Sequence, residues 1–237
     1  MAIAAVTSDA RDVVLARVRA ALRGSDAAAG AGSDEGAGVA VAGAIPRAYR
    51  QAGGMADPDV LVERFSERLG EYRARVHRAS AESLDDLVAR LLAQRRVLVP
   101  AVPPCALHGF EAVADDPALT ARALDGADAV LTGCALAVAE TGTIVLDGSA
   151  VCGRRALTLV PDHHVCVVRA EQIVADVPDA IALLRRLDAT RRPITLVSGP
   201  SATSDIELER VEGVHGPRRL DVVVVAETYA GRDARTP

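Results

Sequence analysis

The sequence predicts an α/β fold, a mixed and mostly parallel sheet flanked by helices. Three observations point there. From Arg96 onward, short apolar runs alternate with helical patterns, as they do when helices cover a sheet. Val222 to Val225 is continuously apolar, as befits a central strand buried on both faces. Leu136–Val138 and Thr143–Leu146 flank the tight sequence Ala139-Glu140-Thr141-Gly142, which reads as a hairpin or two adjacent strands and points to a mixed sheet.

The elements follow in order. Ser8 to Leu22 reads as a helix with Val14, Val18 and Leu22 at helical spacing. Gly24 to Gly38 holds almost only Gly, Ala, Ser, Asp and Glu, the composition of a flexible linker. Residues 1–56 are therefore expected to be an appendage, residues 57–228 the α/β domain and residues 229–237 a tail. Val62, Phe65, Leu69, Tyr72 and Val76 predict a helix over Pro58–Ala79. Leu84, Leu87, Val88, Leu91 and Leu92 predict another over Ser83–Gln94.

Strands are expected at Val97–Val99, Ala129–Thr132, Ala156–Val160, Val165–Val168, Ile194–Ser198 and Leu220–Ala226. Helices are expected at Pro117–Leu124 and Pro178–Leu187, with a short one near Ala202–Asp205.

Composition narrows the chemistry. The chain has 237 residues and a net charge of −5. All 27 basic residues are arginine, which excludes a Schiff-base lysine and a Walker lysine. Trp is absent and only five Phe and Tyr are present, too few rings to stack single-stranded nucleic acid. The acidic balance also opposes a nucleic-acid footprint. The longest stretch free of Asp, Glu and Arg is Val97–Phe110, short of a membrane span and broken by three prolines. With no secretory pattern at Met1–Ala10, a cytoplasmic location is expected. Cys105, Cys134, Cys152 and Cys166 form no CxxC, so neither a zinc ribbon nor an iron–sulfur signature is present.

Four segments carry candidate chemistry. Glu140-Thr141-Gly142-Thr143 places a carboxylate at a strand end, beside a glycine that admits close approach to the backbone. The bland alternative is a polar turn. Ser198-Gly199-Pro200-Ser201-Ala202-Thr203-Ser204-Asp205 runs from strand to helix start, where free amides and hydroxyls suit an anion, or where the hydroxyls simply cap the helix. Gly213-Val214-His215-Gly216-Pro217-Arg218 exposes an imidazole for acid–base work and a guanidinium for a carboxylate. Asp162-His163-His164 puts adjacent imidazoles on opposite faces of an extended segment, unable to share one metal. His77 is expected on a charged helix and His108 in a proline-rich loop.

Taken together and in order, Ala139–Leu146, Gly153–His164, Ser198–Glu207 and Gly213–Arg218 resemble the LUD-domain family over roughly Asp57–Ala226. The resemblance implies a fold related to the sugar-phosphate isomerase and CoA-transferase superfamily. It also implies a part in oxidising L-lactate to pyruvate with companion proteins that carry iron–sulfur clusters, this component having none. In CoA transferases of the related fold a glutamate followed by small residues forms an acyl intermediate; Glu140-Thr141-Gly142 is similar, within a different glycine pattern.

The expected site gathers Glu140, Ser198–Asp205 and His215 at the strand ends. There Ser201 and Thr203 hold a small anionic metabolite, Arg218 pairs with it, and His215 or Glu140 handles a proton. Two alternatives stand beside it. One is a stand-alone acyl-CoA or phosphometabolite enzyme with Glu140 as nucleophile. The other is a scaffold that docks through the Val62–Val76 stripe.

Overall fold

The computed structural model describes residues 12–20, 49–53, 57–187, 191–200 and 216–226. The Gly24–Gly38 linker, the short helix near Ala202–Asp205 and the tail after Thr228 lie outside these, as do Ser201, Thr203, Asp205 and His215. The chain divides into two units between Tyr49 and Arg50. In the first, residues 12–20 form helix α1.

The second unit carries two sheets. Six strands are all parallel: β1 (Arg75–Ala79), β2 (Arg96–Val99), β3 (Glu111–Ala114), β4 (Ala129–Thr132), β7 (His163–Arg169) and β10 (Arg219–Val225), in the order β1-β10-β7-β4-β2-β3. The central strands β10 and β7 are buried nearly throughout, as their valine runs require. A second sheet has the order β8-β5-β6-β9, from β5 (Leu136–Val138), β6 (Thr143–Leu146), β8 (Ile173–Val174) and β9 (Thr195–Val197). Here β5 and β6 form the predicted antiparallel hairpin. The mixed pairing expected within one sheet is thus segregated into a small second sheet.

The helices of this unit are α2 (Pro58–Glu71), α3 (Leu84–Leu91), α4 (Ala121–Asp125) and α5 (Val177–Arg186). Asp57 caps α2 by accepting the Asp59 N–H, and Asp176 caps α5 from the Asp179 N–H. Val62, Phe65 and Leu69 of α2 pack with Ile144, Cys166 and Val222 in a core between the two sheets. Leu84 and Val88 of α3 pack with Val97, Val167 and Val223 on the other face of the parallel sheet.

Several expectations are corrected. The helix predicted over Pro58–Ala79 ends at Glu71, and Arg75–Ala79 is strand β1. Arg73 takes a left-handed φ of 64°, while the Arg73 and Ala74 N–H groups return to the Gly70 and Leu69 carbonyls. Val76 fits the helical spacing by coincidence; pairing of the whole segment with Asp221–Val225 overrides it. Val62, Phe65 and Leu69 of the Val62–Val76 stripe are therefore core, not a docking face, while Tyr72 stays exposed.

Ala156–Val160 is not a strand: Arg155–Thr158 forms a short 3-10 helix, with Leu157 buried against Leu98 and Leu124. His163 and His164 open β7 instead of preceding it. The edge strand β3 and the two-residue β8 escape the sequence reading, being too short and too weakly patterned.

Candidate functional site

The hairpin turn and the end of β9 converge. Thr143 pairs with Val138, and β9 runs antiparallel to β6 with Val197 opposite Ile144. This register sets Ser198 beside Thr143. Their hydroxyls lie 2.7 Å apart, and Thr143 Oγ1 lies 2.7 Å from Thr141 Oγ1. Three of the predicted side chains thus form one hydroxyl chain.

The two glycines serve a different neighbour from the one expected. Gly142 has φ +59° and Gly199 φ +92°. A Cβ on Gly142 would lie 2.8 Å from Arg68 Cβ, and one on Gly199 2.6 Å from Tyr72 Cβ. Both glycines admit the last turn of α2 and its cap.

Glu140 sits on the turn, its N–H bonded to the Ala175 carbonyl at 3.1 Å. Arg50 grips its carboxylate with both terminal nitrogens, at 3.1 and 2.5 Å. That hydrogen-bonded guanidinium holds the Glu140 carboxyl below the usual range, and the charges of Arg50, Arg64 and Arg68 add to the effect. An ionised carboxylate clamped in this way is a weak nucleophile. Arg50 also lies 3.4 Å from Asp176. It comes from a segment that reads as irregular, and no sequence signal singles it out.

Beside this pair lies a cavity of about 570 Å³, walled by Leu61 of α2, Ile173 and Val174 of β8, and Asp179, Leu183 and Arg186 of α5. Asp179 accepts the Gly53 N–H at 2.6 Å through Oδ1. Its Oδ2 is buried with no partner among the described residues.

Arg218 does not join this cluster through any observed contact. Its fork is engaged by the Asp162 carboxylate, at the amino-terminal ends of β10 and β7, not at the carboxyl ends. The two are oppositely charged neighbours just ahead of paired strands, so the guanidinium already has its anion.

A second polar centre lies at that same edge. Asp221 is wholly buried, yet it receives His77 Nε2 at 2.7 Å and His163 Nε2 at 2.6 Å. Arg219 Nε donates to it at 3.1 Å, and Arg75 Nε lies 3.6 Å away. These donors push the Asp221 carboxyl far below its usual range despite burial. His77, expected on a helix, thus stands on β1 as a partner of Asp221. His164 faces the other side of the sheet and bonds Thr132 at 2.8 Å, so the two histidines do diverge as the alternation requires. The signal for this centre was legible: Asp221 is a charge between Leu220 and the valine run of β10.

Comparison with known proteins places the chain. The LUD domain profile matches residues 62–225. A lactate utilization protein C from Deinococcus radiodurans is 48% identical over 192 residues, spanning 78% of this chain and 90% of that protein. A namesake from Shouchella clausii is 34% identical over 102 residues, 42% of this chain and 44% of its own length. The crystal structure of a DUF162 family protein from Deinococcus radiodurans superposes with a TM-score of 0.64 and 42% identity, covering 73% of this chain and all of that one. The match takes in both sheets, the hydroxyl chain and the Asp221 centre, and the chain belongs to the LUD-domain family.

Proposed function

We propose that this chain serves lactate utilisation, as a ligand-binding subunit without a redox centre of its own. In this reading it acts in the cytoplasm beside iron–sulfur partner proteins that carry electrons from L-lactate to pyruvate. The observation that carries it is the 48% identity to a lactate utilization protein C over nearly all of that protein's length. The absence of CxxC and GxGxxG patterns from the sequence supports the division of labour, because lactate oxidation needs an electron acceptor. Among the described residues no helix is long and apolar enough to cross a membrane. A six-stranded parallel sheet with a small mixed sheet beside it supports kinship with the sugar-phosphate isomerase and CoA-transferase superfamily.

Within this reading the hydroxyls of Thr141, Thr143 and Ser198 face a small anionic metabolite, with Ser201 and Thr203 continuing the same loop. Asp205 and His215 belong to the same assignment, Arg218 stands apart on Asp162, and Glu140 orients Arg50. The test is lactate-dependent dye reduction by the iron–sulfur partners with and without this chain. The full rate is expected only when the chain is present. A full rate in its absence refutes the subunit reading.

A further inference from the structure

We propose that the amino-terminal edge of the β1–β10 pair binds a small dianionic oxyanion, of the phosphomonoester class, between the guanidinium forks of Arg75 and Arg219. This site is separate from the hydroxyl chain and independent of the lactate reading.

The argument starts from Asp221. An ionised carboxylate only accepts hydrogen bonds, so His77 and His163 must each present Nε2–H to it. Arg95 donates to His163 Nδ1 at 2.9 Å. A protonated ring has no lone pair to accept that bond, so His163 is neutral and both its nitrogens are occupied. Two guanidiniums, from Arg75 and Arg219, then flank one carboxylate and a third, from Arg95, stands behind His163, a surplus of two positive charges before His77 is counted. Neutralising Asp221 requires one cation, so the other two remain available to a ligand.

The geometry directs that surplus outward. Arg75 and Arg219 both turn Nε to the same carboxylate, Arg75 toward Oδ1 and Arg219 toward Oδ2. Asp221 is the register partner of Arg75 and lies two residues after Arg219, so all three share one face of adjacent strands. Arg219 Nε is hydrogen-bonded to Asp221 and Arg75 Nε lies within ion-pair distance of it, so each guanidinium keeps its terminal nitrogens for a second partner. Neither arginine forms another ion pair or hydrogen bond among the described residues. Their side chains are 55% and 35% exposed, while the anchoring carboxylate is fully buried. The Arg219 fork is thus held from beneath by a hydrogen bond and the Arg75 fork by charge, both open above, the arrangement that bidentate oxyanion recognition uses.

The nearby carboxylates do not cancel the surplus. Asp162 is spent on Arg218, and Glu111 lies 3.4 Å from Arg96. Asp128 accepts the Arg96 N–H at the start of β4, two strand spacings or roughly 10 Å from β10. A surplus of two favours a dianion over a monocarboxylate such as lactate.

The test titrates the full chain with inorganic phosphate at low ionic strength. It is followed by calorimetry and by the guanidinium Nε–H resonances. Saturable binding that shifts the Arg75 and Arg219 signals is expected. Arg75→Gln and Arg219→Gln should each weaken phosphate about tenfold, and circular dichroism should show both variants folded. Succinate in place of phosphate separates a tetrahedral oxyanion from a dicarboxylate, and phosphate is expected to bind more tightly. Lactate should bind about tenfold more weakly than phosphate. Lack of saturation, or unchanged affinity in both variants, overturns the site. Equal binding of lactate and phosphate, or tighter binding of succinate, overturns the ligand class.

Discussion

Thr143 and Ser198 are joined hydroxyl to hydroxyl at 2.7 Å, across the antiparallel seam of β6 and β9. Thr143 also takes the Thr141 hydroxyl, so it is the hub of the chain. Thr143→Val keeps the shape and strands two hydroxyls in a half-buried place. A stability loss of about 1.5 kcal/mol is expected in urea unfolding. A loss below a few tenths would mean that water replaces the chain at no cost.

The close approach of Gly199 to Tyr72 makes a sharper contrast. Gly199→Ala puts a methyl 2.6 Å from Tyr72 Cβ at a φ of +92°, and should destabilise by more than 1 kcal/mol. Gly70→Ala, inside α2 with open space around the new Cβ, should instead stabilise by up to about 1 kcal/mol. Thermal melts of the two variants should move in opposite directions.

Phe65 decides between core and docking face for the α2 stripe. It is fully buried, so Phe65→Ala should cost about 3–5 kcal/mol. A near-neutral result in calorimetry would restore the docking reading.

His163 sets an acid limb. Burial pushes its imidazole below the ordinary 6.5, with the charges of Arg219 and Arg95 adding to the fall and Asp221 opposing it. His77 faces the same carboxylate. Above pH 6.5 the ring is neutral whether folded or unfolded, and its contribution is fully present. Below 6.5 the unfolded chain takes the proton first, so stability falls until the folded value is passed. Asp221, also depressed, adds its own loss only as the pH drops below its usual 3.8. Unfolding free energies measured from pH 7 down to 5 should slope downward in the parent and flatten in His163→Gln.

The sequence carried the β5–β6 hairpin, the buried run Val222–Val225 and the helix at α5, because each has a strong local period or a punctuating turn. It also carried the juxtaposition of Thr143 and Ser198, through two motifs that the fold sets side by side. It could not carry the end of α2, since Val76 satisfies the helical and the strand spacing equally and only pairing with β10 decides. Nor could it carry the Arg50–Glu140 clamp, a contact between residues 90 positions apart with no pattern linking them. Arg218 looked free because its anion, Asp162, is adjacent only once β7 and β10 pair.

The last turn of α2 has a consequence for motion. Gly142 leans on Arg68 and Leu69, Gly199 leans on Tyr72, and the chain reverses into β1 directly after. The hairpin tip, Ser198–Gly199 and the last turn of α2 are therefore expected to open as a single cooperative unit. Amide protons in all three should exchange with solvent at a common rate, and a ligand seated on the hydroxyls would slow them together.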